Sequence, residues 1–422
     1  MTSRRIAVIG GGVSGLTAGY LLARANEVTV FEADGRLGGH AHTHRLAAPD
    51  GTELAVDSGF IVCNERTYPL LTRLFTELGV TTQDAEMSMS VRCAGCGLEY
   101  AGRRGLGGLL AGIRRGRRRY LRMLPEILRF HREASRLIAG AHPARADDLT
   151  LGHFLAAGGY SRYFTAHFAL PFVSAVWSCP PGTAMDYPAG YLFTFLANHG
   201  LLSVSGSPRW RTVTGGSQAY VDIIAKQLTA VRTDAPVRSV RRNPGGVEVT
   251  AGTGPPQPFD AVVIATHPDQ ALRQLADPTP AERRVLGAFR YTRNAAVLHT
   301  DASVLPASPR ARASWNYHLT ACDAGAAQVK VSYHMNRLQR LRAGRDYLVT
   351  LNSAGSIDPR RVLAEMDYAH PVYTRASVAA QRALPTLNDG VTAYAGAYHG
   401  WGFHEDGCRS GVAAAASLGS SW

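Results

Sequence analysis

The sequence predicts an α/β fold built on a buried parallel sheet, on three observations. The apolar run Ile6-Ala7-Val8-Ile9 ends in glycine, the pattern of a central strand buried on both faces. A glycine turn and a helix-forming segment follow at once. A second apolar strand, Val28-Thr29-Val30-Phe31, then ends in an acid. The 422 residues, 45% hydrophobic and 18% charged, are enough for a large core in two or three domains and exclude a disordered chain.

The turn reads Gly10-Gly11-Gly12-Val13-Ser14-Gly15, a complete G-x-G-x-x-G, and leads into a helix with an apolar stripe at Leu16, Tyr20 and Ala23. Gly10 allows the tight turn, Gly12 lets the backbone approach a pyrophosphate, and Gly15 lets helix and strand pack closely. The free N–H groups and dipole of the helix N-terminus favour an anion there. Glu32 lies 22 positions after Gly10. A carboxylate at that distance accepts hydrogen bonds from a ribose diol and repels a 2′-phosphate, so FAD or NAD is expected and not NADP. The loop Gly35-Arg36-Leu37-Gly38-Gly39 adds a flexible, cationic element within reach of the pyrophosphate, which favours FAD.

Together Gly10 to Gly15, the stretch Phe31 to His40 (FEADGRLGGH) and Val56 to Phe60 (VDSGF) resemble the flavin-containing amine oxidase superfamily, over the whole chain. A closer resemblance, carried by segments such as Ala175 to Ser178, Trp210 to Ser217, Tyr333 to Gln339 and Gly402 to Gly407, is to the bacterial flavoproteins associated with cyclopropane fatty acid synthases and to the N-terminal flavin domain of plant cyclopropane synthases. The resemblance implies a Rossmann-like FAD-binding domain (1–70, 206–285 and 376–422) interleaved with an α+β substrate domain (71–205 and 286–375). It also implies that Gly10, Gly12, Ser14, Gly15, Glu32, Ala33, Arg36, Gly38 and Gly39 hold FAD, and that the backbone of Val237 holds adenine.

The closing segment, from Tyr394-Ala395-Gly396 to Gly411 and on to Ala415, reads as strand, glycine-rich turn and helix. Its glycines, Gly396, Gly400, Gly402, Gly407 and Gly411, would let backbone approach the isoalloxazine, with the helix N-terminus near N1 of the flavin. That places His404, Glu405 and Asp406 beside the ring. Many relatives carry a lysine near N5; around Arg293 to Thr300 the matching residue is Asn294, and Lys330 on a later strand is the candidate substitute. Trp177, His199, Trp401 and Phe403 are candidates for an apolar pocket. The expected catalytic residues are thus His404, Lys330 and Asn294.

These features point to an FAD-dependent oxidoreductase that desaturates, reduces or isomerises carbon–carbon bonds of a lipophilic substrate such as a fatty acyl chain. The alternatives are an amine or amino-acid oxidase releasing hydrogen peroxide, and a noncatalytic flavoprotein partner of a methyltransferase.

The formal charge of +13 is partly local. Arg104, Arg114, Arg115, Arg117, Arg118, Arg119 and Arg122 interleave with Leu106, Ile113, Tyr120 and Leu121 in a basic amphipathic pattern. That pattern suits a solvated helix face or contact with a membrane surface or acyl carrier, and no nucleic-acid motif accompanies it. No run approaches the roughly 18 apolar residues of a membrane span, and Met1 to Arg5 lead straight into the first strand, so a cytoplasmic protein is expected. The six cysteines are scattered; Cys93 and Cys96 form one CxxC, but no second CxxC or close histidine pair supplies further ligands, so no metal is expected.

Overall fold

The computed structural model describes residues 3–102, 105–110, 117–140, 148–203, 207–322, 329–353 and 355–422. The fingerprint segment forms the centre of a five-stranded parallel sheet. Its order is Thr392–Tyr394, Ala261–Ile264, Arg5–Ile9, Glu27–Phe31 and Ala230–Arg232. The three inner strands are short and almost wholly apolar because both faces are covered, whereas the edge strand Ala230–Arg232 is exposed at Val231 and Arg232. The five strands come from the start, middle and end of the chain. Beside them lies a three-stranded antiparallel sheet, Val237–Asn243, Gly246–Ala251 and Gln257–Phe259.

The second large unit is a seven-stranded sheet in the order Val362–Val372, Arg290–His299, Leu348–Leu351, Val331–His334, Trp315–Leu319, Met89–Cys93 and Glu99–Gly102. Its pairs are antiparallel except Trp315–Leu319 against Met89–Cys93. Helix Arg117–Gly140 meets it where Tyr120 packs on Tyr100, helix Leu170–Trp177 packs on strand Trp315–Leu319, and helix Ala189–Asn198 packs on the long helix through Phe193 and Phe130.

Two elements differ from expectation. The helix Val13–Leu22 is buried at every residue, not along one stripe, because the last helix of the chain, His404–Ser417, covers its outer side. That last helix also begins earlier than predicted. The Asp406 carboxylate accepts from the Phe403 backbone N–H at 3.0 Å, which starts the helix at His404 and draws Gly407 and Gly411 into its body.

Of the basic segment, Arg104, Ile113, Arg114 and Arg115 lie outside the described residues, as do the side chains of Leu106 and Arg117 and the expected domain boundary at 206. Within Arg117–Gly140, Tyr120 and Met123 are buried while Arg118, Arg119 and Arg122 face solvent, a charged face over a core stripe. Leu121 departs from the stripe and is exposed. Among the described residues no helix is long and apolar enough to cross a membrane.

Candidate functional site

The first loop has the geometry of a phosphate cradle. Gly10 sits at φ +102°, and a Cβ there would lie 2.8 Å from the Ala265 carbonyl oxygen. At Gly15 a Cβ would strike the Gly10 carbonyl and crowd Val8. Gly12 opens instead onto space: a Cβ there meets nothing within 4 Å, and no side chain caps the helix that follows. The first-turn N–H groups are therefore left for an anion. The Gly38 N–H donates to the Gly11 carbonyl at 2.7 Å, locking the second loop onto the first. Gly38 and Gly39 both have positive φ.

Glu32 is fixed on this frame. Its carboxylate accepts from the Gly11 N–H at 2.7 Å and the Asp34 N–H at 3.0 Å, leaving lone pairs on both oxygens for a diol. Ala33 is exposed beside it. Arg36 folds back on its own loop, donating to the Gly39 carbonyl at 2.8 Å. The Ala235 N–H donates to the Glu32 carbonyl at 2.9 Å, so the segment leading to Val237 runs alongside; the Val237 carbonyl accepts from Gln274 at 3.3 Å. Ser14 is buried where the first and last helices meet.

At that junction and in the turn before it, four of the glycines are packed closely against protein. A Cβ at Gly407 would lie 2.6 Å from Val13 Cγ1, and one at Gly411 would strike the Ser14 carbonyl. A Cβ at Gly400 would strike the Asp406 carboxylate, and one at Gly402 would lie 2.8 Å from the Tyr373 hydroxyl. On the side where a side chain would project, all four glycines face protein, Gly407 and Gly411 at the helix-on-helix contact. Gly396 is extended backbone whose N–H donates to Ser410 Oγ at 2.9 Å.

The three acid–base candidates of the last helix have distinct surroundings. Glu405 accepts from the Leu70 and Leu71 N–H groups at 3.1 and 2.9 Å, capping the helix Pro69–Glu77. Asp406 holds Phe403 N–H and Arg409, and burial pushes its carboxyl up to about 6. His404 stacks on Phe60 of the VDSGF segment with ring centroids 3.7 Å apart and bonds the Tyr220 hydroxyl at 3.2 Å. Burial lowers its pKa to about 3, so the imidazole is neutral at pH 7. Asp57 of the same segment accepts from Thr43, Ser217 and Gln339 and pins three distant pieces of chain together.

Asn294 and Lys330 are not brought together. Asn294 is buried on the sheet, its Nδ2 3.0 Å from His370 Nδ1 and its Oδ1 accepting from Asn352 at 2.8 Å. Strand alternation puts Asn294, Ala296 and the paired Leu351 on one face with Val331; Lys330, one residue before Val331, points to the other. There it lies in a cross-strand row with His318 and Arg92, whose charges, after burial, help hold the His318 pKa down at about 4. Lys330 therefore does not replace a lysine at Asn294.

What the sequence alone does not single out is the histidine cluster around Asn294. His40, last residue of the FEADGRLGGH motif, stacks on Tyr368 at 4.8 Å and packs against His370 at 5.4 Å. Burial, then the nearby His370, His267 and His404, holds its pKa far below the ordinary value. Its buried Nε2 has no hydrogen-bond partner. An unpartnered polar atom between the glycine loops, the substrate sheet and the last helix is suited to contact with a bound polar group. With the open space at Gly12, it shows that the residues present fit FAD. The motif contained His40, but Tyr368 and His370 sit on a strand whose mixed pattern carries no signal.

A cavity of about 210 Å³ adjoins the N-terminus of the last helix. Phe195, His199, Trp401 and Phe403 form its wall, as expected for three of the four aromatic candidates; Trp177 packs behind, donating to the Trp401 carbonyl at 3.2 Å. The cavity is not purely apolar, since Arg66 and Arg409 also line it.

The CxxC is not isolated either. Folding brings His167 and Cys322 to Cys93 and Cys96 from far along the chain, ligand partners that spacing along the sequence cannot reveal.

Comparison with known proteins agrees with this geometry. Residues 13–302 match the family model described as flavin containing amine oxidoreductase. AofH of Mycobacterium tuberculosis, whose name assigns it to flavin-containing monoamine oxidases, is 29% identical over 294 residues, covering 67% of this chain and 61% of that protein. The chain thus spans less than two thirds of that relative's length. Among solved structures, a putrescine oxidase bound to putrescine superposes with TM-score 0.70 at 17% identity, covering 99% of both chains. A fatty acid isomerase from P. acnes that produces CLA superposes with TM-score 0.65 at 15% identity, covering 97% of both.

Proposed function

Because the chain belongs to the flavin-containing amine oxidoreductase family and is an FAD-dependent oxidoreductase, we propose that its substrate is a lipophilic chain, a fatty acyl or related group, in which a carbon–carbon bond is desaturated, reduced or isomerised. Bound FAD supplies hydride chemistry at N5. The observation that carries the substrate class is the charge of the cavity. Its wall is aromatic, and its two carboxylates are committed: Glu405 to backbone N–H groups and Asp406 to Arg409 and the Phe403 N–H. An ammonium group would meet two arginines and no uncommitted acid among the described lining residues. A carboxylate or acyl head would meet exposed Arg66, with the aromatic wall for its chain.

The residues of this chain then do three things. Gly12 and the helix after it bind phosphate, and Glu32 binds ribose. The neutral His40, Tyr368 and His370 form a packed polar surface that excludes water. Asn294, held by Asn352, donates to His370 Nδ1, which keeps the His370 proton on Nε2. The resemblance to flavoproteins associated with cyclopropane fatty acid synthases supports the acyl reading, and with it contact with a membrane surface or acyl carrier through the basic helix face. The likeness to AofH favours a second reading, an amine oxidase releasing hydrogen peroxide.

The two are separated by mixing the FAD-loaded protein with long-chain unsaturated fatty acids and, separately, with a panel of primary amines. Product chains are followed by mass spectrometry and peroxide by a coupled assay. Altered double bonds in the acids, with no peroxide from amines, are expected; peroxide from an amine with unchanged acids overturns the acyl reading.

A further inference from the structure

The strands Met89–Cys93 and Glu99–Gly102 are joined by a tight turn that contains the CxxC. In it the Cys93 N–H donates to the Leu98 carbonyl and the Gly97 N–H to the Cys93 carbonyl, both at 2.9 Å, with Gly97 at φ +71°. Two other elements close on this turn. Strand Trp315–Leu319 pairs in parallel with Met89–Cys93, Leu319 opposite Cys93, and delivers Cys322 just beyond its end. A Cβ at Gly95 would lie 2.9 Å from the Cys322 nitrogen, so glycine is what permits that approach. From the helical layer, the π-helical turn Thr165–Ala169 presents His167. Such turns are rare and concentrate at functional sites.

We propose that Cys93, Cys96, His167 and Cys322 form a structural Zn²⁺ site. Their ligand atoms all lie within 4.8 Å of one another. Cys93 Sγ is 3.8 Å from Cys322 Sγ, and Cys96 Sγ is 3.5 Å from His167 Nε2. Tetrahedral zinc, with Zn–S of about 2.3 Å and Zn–N of about 2.0 Å, requires ligand separations of about 3.8 Å between sulfurs and about 3.5 Å between sulfur and nitrogen. Both observed spacings meet that requirement.

The surroundings orient the ligands. His167 Nδ1 lies 3.0 Å from the Tyr163 carbonyl, which takes the ring hydrogen and leaves the Nε2 lone pair facing the sulfurs. The Tyr163 ring stacks on the imidazole at 4.0 Å, and the Tyr100 hydroxyl bonds the His167 carbonyl at 2.8 Å. None of the three cysteines is in a disulfide.

Three sulfurs and one imidazole make a closed set with no position for water or substrate, the pattern of a structural and not a catalytic metal, and soft thiolates select zinc over harder divalent ions. Binding forms three Zn–S bonds and one Zn–N bond, releases the three thiol protons to solvent and changes no oxidation state. The metal would tie the end of the substrate sheet to the helical segment that runs on to Trp177, behind the cavity wall.

The test counts metal in the full-length, FAD-loaded protein, purified without added chelator. About one zinc per chain is expected by elemental analysis. Cys96→Ser and Cys322→Ser should lose it, whereas Cys63→Ser and Cys179→Ser should keep it. Should the ligand variants fail to fold, the unaltered protein decides: grown on cobalt, it should show the visible bands of tetrahedral thiolate-bound Co²⁺ at wavelengths beyond flavin absorption. A zinc-free folded protein that takes up neither ion overturns the proposal. So does metal retained in both ligand variants, iron in place of zinc, or a Cys93–Cys322 disulfide found by peptide mapping.

Discussion

Asn294 illustrates how a single side chain on a sheet is held for a site. Its amide joins His370 to Asn352, and Asn352 in turn donates to the Val329 carbonyl at 2.9 Å. Asn294→Leu leaves the buried His370 Nδ1 without its partner and Asn352 with only its bond to the Val329 carbonyl, at a cost of about 1–3 kcal/mol. The urea midpoint of the variant should fall, and its rate of substrate turnover with it. Lys330→Met removes a half-buried cation that neighbours Arg92 and His318, so its stability should stay within about 0.5 kcal/mol of the unaltered protein. A slow but stable Lys330→Met enzyme would contradict the placement of Lys330 away from the site. At this scale the sequence reveals the residues whose spacing is local: Gly10, Gly12, Gly15 and Glu32 are set by two strands, one turn and one helix. It conceals His370 and Tyr368, whose partners lie more than 300 residues away in Ser58 and His42 or across the sheet in Asn294.

The first and last helices form the element on which the site rests. They meet through Gly407 and Gly411 against Val13, Ser14 and Thr17. Gly411→Ala would drive a methyl group into the Ser14 backbone, with a cost of about 1–3 kcal/mol and weaker FAD retention, read from the thermal midpoint and bound flavin together. The same helix begins with a residue that serves another element. Glu405→Ala removes the cap on Pro69–Glu77 and should cost about 0.5–2 kcal/mol in chemical unfolding, with bound flavin little changed. A large loss of flavin with no loss of stability would instead put Glu405 at the cofactor. The closing strand, turn and helix were legible from glycine and alanine patterning. The helix start was not, because Phe403 is an unusual residue before a helix and the capping bond from Asp406 depends on geometry three residues on.

Across the whole molecule the balance of charge on folding is set by buried histidines. Burial lowers His42 and His404 to about 3 and His199, His299, His318, His370 and His399 to about 4, from an ordinary value of 6.5. Between those values the unfolded chain binds protons that the folded chain refuses, so stability is full above pH 6.5 and is lost as pH falls. Burial raises Asp57 and Asp406 to about 6, which acts in the opposite sense between pH 4 and 6, but two carboxyls do not offset seven imidazoles. The thermal midpoint should drop from pH 7 to pH 5; a midpoint that holds or rises would contradict the histidine burial. The α/β class was legible in the first 32 residues, whereas the seven-stranded sheet and the cysteine–histidine cluster required contacts that only the folded chain makes. The central claim, that these distant pieces assemble one FAD site, is tested most directly by the FAD content of the purified protein and of Gly12→Val and Glu32→Leu after FAD is supplied. About one FAD per chain in the unaltered protein and little in either variant is the predicted result. A folded protein that binds no flavin, or two variants that both keep it, would contradict it.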